Sequence, residues 1–183
     1  MSLQFTSAQT DEDLRQTLDL QAANLKTNVS AETKQTQGFV TVCHSREELN
    51  LLHTATPQII AKDGDQVVGY ALAMLPSLGE FIPDLKPMFE LFGRIPWGDQ
   101  TLLDSNFYVM GQICVAADYR GQGVFDGLYQ AHRELYSPTF DLLVTEISVS
   151  NTRSQRAHER VGFRTVYRHK DHVDDWNVVV WEY

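Results

Sequence analysis

The sequence predicts an α/β (α+β) fold, with one central mixed β-sheet carrying helices on both faces. Three observations predict it. Between residues 107 and 161, strand-like apolar runs alternate with amphipathic helical ones. Residues 58–75 read as two strands joined by the tight turn Asp63-Gly64-Asp65. Residues 163–183 read as a second hairpin around a polar turn at 169–175. At 183 residues the chain fits one domain, 1–183, and such a domain buries roughly 70% of its unfolded surface.

The remaining elements follow in chain order. Residues 3–5 make a short strand. Residues 11–25 make a helix, with Thr10 as N-cap, acidic residues in its first turn, and Leu14, Leu18, Ala22 and Leu25 on one stripe. A short polar helix is expected over 31–37. Another is expected over 46–53, capped by Ser45 with Glu48 at its third position. The strands of the first hairpin cover 58–62 and 66–75. Residues 76–104 form an irregular insert with a short helix at 87–92. A connection this long in a compact domain is functional or carries structure of its own. Phe81, Phe89, Phe92 and Trp97 make it a candidate wall or lid for an acceptor pocket, with a satellite core or a homodimer contact as the alternative. Then come a strand at 107–116, a helix at Val124–Tyr136, a strand at 141–149 and a helix at Thr152–Val161.

Composition excludes several classes. A net charge of −9 argues against wrapping nucleic acid, which needs a basic surface to displace counterions. No basic segment precedes an apolar run at the N-terminus, and no stretch is long and apolar enough for a membrane span. Cys43 and Cys114 form no CxxC or Cys/His cluster, so no metal site or disulfide framework is expected and a reducing cytoplasm is the natural setting. His169 and His172, in the polar turn, give little support to a metal either.

The first chemical signal lies where the strand at 112–115 runs into Arg120-Gly121-Gln122-Gly123-Val124-Phe125 and a helix begins. The first turn of a helix has backbone N–H groups without partners, and glycines before it let the chain fold around an anion. GxxxxGK[ST] and GxGxxG with its later acidic residue are both absent. On its own, the phrase reads first as an ordinary strand-to-helix glycine turn and only second as a cofactor site.

The second signal spans 145–163. Leu142, Val144, Glu146 and Ser148 share one strand face, which turns polar toward the strand's C-terminal end, where open sheets bind ligands. Ser154, His158 and Val161 share one helix stripe, directed at the sheet. Simpler uses exist for each residue: Asn151 as a helix cap, His158 as a hydrogen-bonded structural histidine, Glu146 as a salt-bridged strand residue, Cys114 as a packing residue.

Both phrases resemble motifs of the GNAT superfamily of N-acetyltransferases. Residues 113–124 resemble its acetyl-CoA signature, Q/R-x-x-G-x-G/A, which Arg120 and Gly123 match. Phe125 departs from it, standing where the family prefers Gly or Ala. Residues 145–163 resemble the second motif: Asn151 closing a strand, Ser154 three on, His158 seven on, then Gly162-Phe163. Together they cover about residues 58–183.

The resemblance implies the GNAT fold and direct transfer of an acetyl group from acetyl-CoA to a primary amine of a small molecule or peptide, with coenzyme A as product and no metal. It implies that backbone N–H groups of Gly121, Gln122, Gly123, Val124 and Phe125 hold the pyrophosphate. Ile113 and Val115 would pair with the pantetheine arm, and Asn151 would touch the cofactor. By similarity to ribosomal-protein N-terminal acetyltransferases, Glu146 takes the amine proton, and His158, in place of Tyr, donates to the leaving thiolate or orients the sulfur. A longer acyl group, an alcohol acceptor, or a CoA-binding regulatory module without catalysis are the rival readings.

Overall fold

The computed structural model describes residues 3–33, 38–82 and 85–183. Along the chain run β1 (Leu3–Ser7), α1 (Asp11–Asn24), α2 (Arg46–Ala55), β2 (Ile59–Asp63), β3 (Gln66–Met74), α3 (Lys86–Phe92), β4 (Pro96–Trp97) and β5 (Gln100–Thr101). They are followed by β6 (Phe107–Val115), α4 (Val124–Tyr136), β7 (Leu142–Ser148), α5 (Thr152–Val161), β8 (Arg164–Lys170) and β9 (Asp175–Glu182). Apart from the small β4–β5 hairpin, the strands form one sheet in the order β1-β2-β3-β6-β7-β9-β8. Neighbours are antiparallel except β6 and β7, which run parallel.

Alternation along the central strands assigns the two faces. In β3, Ala71 and Ala73 pack with Val124, Leu128 and Tyr129 of α4, while Tyr70 and Leu72 pack with Leu14 of α1 and Leu49 of α2. Successive side chains of a strand point to opposite faces, so α4 covers one side and α1 with α2 the other.

Local chemistry sets the helix ends. Thr10 Oγ1 accepts from the Asp13 N–H, and Asp13 accepts from the Thr10 N–H, a reciprocal cap that starts α1. The helix stops at Asn24, one residue before the predicted end, because Leu25 is extended and bridges Val40. Lys26 N–H donates to the Val40 carbonyl at 2.8 Å and Val40 N–H to the Asn24 carbonyl at 3.0 Å, which straps residues 38–40 against the end of α1. Of the helix expected over 31–37, residues 34–37 lie outside the described residues.

The insert is more structured than its sequence suggests. It contains a 3-10 turn at Pro76–Glu80, α3, the β4–β5 hairpin turning through Gly98 at φ +58°, and a further 3-10 turn at Leu102–Asp104. Leu78, Phe89, Phe92, Ile95 and Leu102 are buried against Phe107, Leu142, Val144 and Val178. Its aromatic side chains thus build a satellite core, apart from Phe81, which is 70% exposed. The second hairpin is also tighter than predicted. Asp171 Oδ1 accepts from the N–H groups of Val173 and Asp174, confining the turn to 171–174 and leaving His169 within β8.

Candidate active site

The parallel pair β6–β7 is joined only at its start. The register Phe107↔Leu142, Tyr108↔Leu143, Val109↔Val144 ends there, although both strands continue. A register shift against β3 passes from Leu72↔Gln112 to Ala73↔Met110, leaving Gly111 as the extra residue of a bulge. A bulge bends its strand and re-aims side chains. Beyond it Gln112 and Cys114 face α1, while Ile113 and Val115 pack toward α4. Thr145 Oγ1 donates to the Met110 carbonyl at 2.7 Å and closes the base of the resulting V.

A cavity of about 560 Å³ opens above that base, between the end of β6, the start of α4, the first turns of α5 and the strap at 38–40. Gly121 and Gly123 adopt φ +74° and +80°, conformations that disfavour any side chain. A Cβ built on either would meet no heavy atom of the described residues within 4 Å, so the glycines face open space. No side chain among the described residues caps the start of α4. Its first-turn N–H groups border a space sized for an anionic ligand.

Of the residues expected at the cofactor, all but Gln122 line this cavity: Ile113, Val115, Arg120, Gly121, Gly123, Val124, Phe125 and Asn151. The Gln122 side chain instead donates to the Asp118 carbonyl at 2.6 Å. Arg120 turns back along the chain, its Nε donating to the Val115 carbonyl at 3.0 Å and its Nη2 to Asn24 Oδ1 at 2.6 Å, so it braces the loop. Its burial lowers the guanidinium pKa from the usual value. The Phe125 ring packs sideways, edge to face on Tyr129 and His158 at 5.1 Å each, and forms wall instead of crowding the first turn. Asn151 Oδ1 accepts from the Ser154 N–H at 3.2 Å and Nδ2 donates to the Phe39 carbonyl at 3.3 Å, joining α5 to the strap. Cys114 also lines the cavity, but burial pushes its thiol up to about 12, which keeps it protonated.

His158 sits behind that lining. It is buried, its Nε2 accepts from the Tyr129 hydroxyl at 2.6 Å, and its Nδ1 lies 2.8 Å from the Ser154 carbonyl. A carbonyl can only accept, so the ring's proton is assigned to Nδ1. Burial lowers its pKa to about 4, leaving it neutral near pH 7. This arrangement directs no proton of His158 at the cavity.

Glu146 points to the other face of the sheet, with Val144 and Ser148. It is absent from the cavity lining, and its Oε1 lies 2.8 Å from Nε2 of His169. Burial raises its carboxyl pKa, and the imidazole works against that rise. His169 is the residue that sequence reasoning missed as a functional candidate. It lies 23 positions from Glu146 and on a strand not hydrogen-bonded to β7, so no local spacing signals the contact. No group of three or more His, Cys, Asp or Glu side chains suited to a metal occurs among the described residues. No helix among them is long and apolar enough to cross a membrane.

The chain belongs to the acetyltransferase (GNAT) family, whose model matches residues 25–163. It is therefore assigned as an acetyl-CoA-dependent acetyltransferase by family. Its fold is shared with a chain of the NatC complex bound to Gag peptide and CoA, at TM-score 0.69 and 14% identity over 100% of this chain and 99% of that one. Arabidopsis thaliana Naa50 in complex with the bisubstrate analogue CoA-Ac-MVNAL matches at TM-score 0.65 and 13% identity, over 100% of both chains. The Escherichia coli ribosomal-protein-S18-alanine N-acetyltransferase matches at TM-score 0.62 and 14% identity, over 99% of this chain and 94% of that one. Comparison with curated proteins finds no sequence match.

Proposed function

We propose that this protein transfers an acetyl group from acetyl-CoA to the primary amine of a peptide or small molecule. The observation that carries the reading is the open cradle of Gly121 and Gly123 at the uncapped start of α4, leading into the splay between β6 and β7. Acetyl-CoA fits it chemically: the pyrophosphate is an anion for the N–H groups of residues 121–125, and the pantetheine arm is an extended chain for the edge of β6 at Ile113 and Val115. When bound, it supplies a thioester-activated acetyl group.

The protein's own residues do the rest. Asn151 holds the strap over the cavity, and Arg120 braces the loop below it. Glu146, on the sheet face opposite α4, takes the proton of an amine that enters from that face, directly or through water, because a primary amine at neutral pH is an ammonium and cannot attack until deprotonated. His158 holds Tyr129 by a hydrogen bond and Phe125 by ring contact, which fixes Phe125 as cavity wall. The peptide class of acceptor draws support from the Gag and MVNAL peptides in the NatC and Naa50 structures. Exposed Cys43 suits a reducing, cytoplasmic setting.

A thiol-release assay tests the reading. Acetyl-CoA is presented with small amines, amino acids and N-terminal peptides, the peptide MVNAL among them. Turnover with any of these primary amines supports acetyl transfer. Binding of acetyl-CoA without thiol release from any acceptor would instead favour a CoA-binding module.

A further inference from the structure

Resting on that reading, we propose that His169 is a positioning residue for Glu146, and that the two form one proton-holding unit on the sheet face opposite α4. Three observations carry it. The side chains come from β7 and β8, on either side of β9, yet meet at 2.8 Å. Both are mostly withdrawn from water, at 18% and 19% side-chain exposure, so a carboxylate there needs a partner. The partner is an imidazole, the side chain whose charge changes most readily near neutral pH. Asp174, by contrast, receives Lys26 Nζ at 3.1 Å and the Ser148 hydroxyl at 2.8 Å, and Asp171 receives backbone N–H groups.

Proton bookkeeping is simple. One proton leaves the acceptor's ammonium nitrogen for the unit. In the resting pair neutral His169 donates Nε2–H to the Glu146 carboxylate, so the proton is relayed through water to Nδ1, giving Glu146 carboxylate with His169 imidazolium, which returns the proton to solvent. Storing the proton on His169 keeps Glu146 a carboxylate. The charged groups facing the pair are Asp171 in the β8–β9 turn, which adds negative potential at Glu146, and beyond it His172 and the Lys26–Asp174 pair. From β9, between the two, Val178 and Trp176 contribute no charge.

Two measurements test the pair. The first follows the His169 imidazole Cε1–H resonance against pH in the ligand-free protein and in Glu146→Gln. The midpoint in Glu146→Gln is expected to fall, as loss of a close opposite charge requires. An unchanged midpoint overturns the proposal. The second compares pH–rate profiles of His169→Gln and His169→Ala, using acetyl-CoA with peptide MVNAL or another acceptor that turns over. Gln keeps a hydrogen-bond donor but takes up no proton, so both variants are expected to lose about tenfold or more in kcat. Both KM values should stay within about twofold, with the acid limb of the profile displaced. Wild-type kcat in His169→Gln makes the residue a merely structural brace and overturns the proposal. Absence of thiol release with every acceptor strikes the acetyl-transfer reading instead, and the resonance titration still decides whether the unit exists.

Discussion

The Tyr129 hydroxyl donates to Nε2 of His158 at 2.6 Å, inside a shell formed by Phe125, Phe163 and Trp181. Both residues are buried, and neither group has water as an alternative partner. His158→Ala therefore removes a packed ring and orphans a hydroxyl. It should cost about 2–4 kcal/mol of stability, measured by urea unfolding. Tyr129→Phe should cost about 1–2 kcal/mol, because it leaves only the imidazole nitrogen unsatisfied. Losses below ~0.5 kcal/mol in both would show that the bond is not a structural determinant.

Stability should also depend on pH through His158 and His132. His132 is fully buried, its Nε2 lies 3.1 Å from the Ala71 carbonyl, and burial lowers its pKa to about 4, as for His158. Unfolded histidine binds a proton below about 6.5 while the folded rings do not until about 4, so stability is lost as pH falls through that window. Between pH 7.5 and 5.0 the expected loss is on the order of 2 kcal/mol per histidine. Glu146, whose carboxyl burial raises, acts with the opposite sign, so the titration is repeated in Glu146→Gln. Asp13 does not contribute there. Burial raises its carboxyl pKa, but Lys62 and backbone N–H groups outweigh that and hold it at about 2, so its loss comes at lower pH. Equal stability at the two pH values in Glu146→Gln would contradict the buried, neutral assignment of both rings.

The cradle can be separated from backbone strain by a matched control. Gly123→Ala and Gly98→Ala both place a side chain at positive φ in open space, at +80° and +58°. Each should cost about 1 kcal/mol of stability. Only Gly123→Ala should also weaken acetyl-CoA binding, by about tenfold or more in a calorimetric titration. Equal cofactor affinity in the two variants would remove the cradle from the site.

In the insert, Phe89 is 8% exposed and meets Phe92 edge to face at 5.9 Å. Phe89→Ala should thus be a stability variant, costing about 3–5 kcal/mol. Trp97 is half-buried and stacks with the Arg164 guanidinium at 5.0 Å from the ring centroid. Trp97→Ala should lose only about 1 kcal/mol and keep acetyl-CoA affinity within twofold. Differential unfolding and calorimetry of the two variants check both expectations.

These sites differ in how visible they are in the sequence, for physical reasons. The bounds of α4 and α5 are legible because their punctuation is local: Gly123 before one, Asn151 before the other, and Gly162 at φ +122° ending the latter. The part of the cavity lining at 113–125 and Asn151 is legible because its motifs are contiguous, whereas Asn24 and the strap at 38–40 reach the cavity only through tertiary contacts. The bulge at Gly111 is not, since a register shift exists only relative to β3. Nor is the fate of His158, whose stripe on the helix is correct but whose partner, Tyr129, comes from a neighbouring helix. In the insert the helix at 87–92 is legible, whereas its other elements escape notice because each is only two to five residues long, too short for hydrophobic periodicity to declare itself.

The central claim is that the cavity between β6, α4 and α5 binds acetyl-CoA, and calorimetric titration of acetyl-CoA into the ligand-free protein tests it most directly. The account predicts one site per chain with a Kd at or below about 100 µM, together with a rise in melting temperature that grows with cofactor concentration. No heat and no change in melting temperature at about 1 mM acetyl-CoA would contradict it.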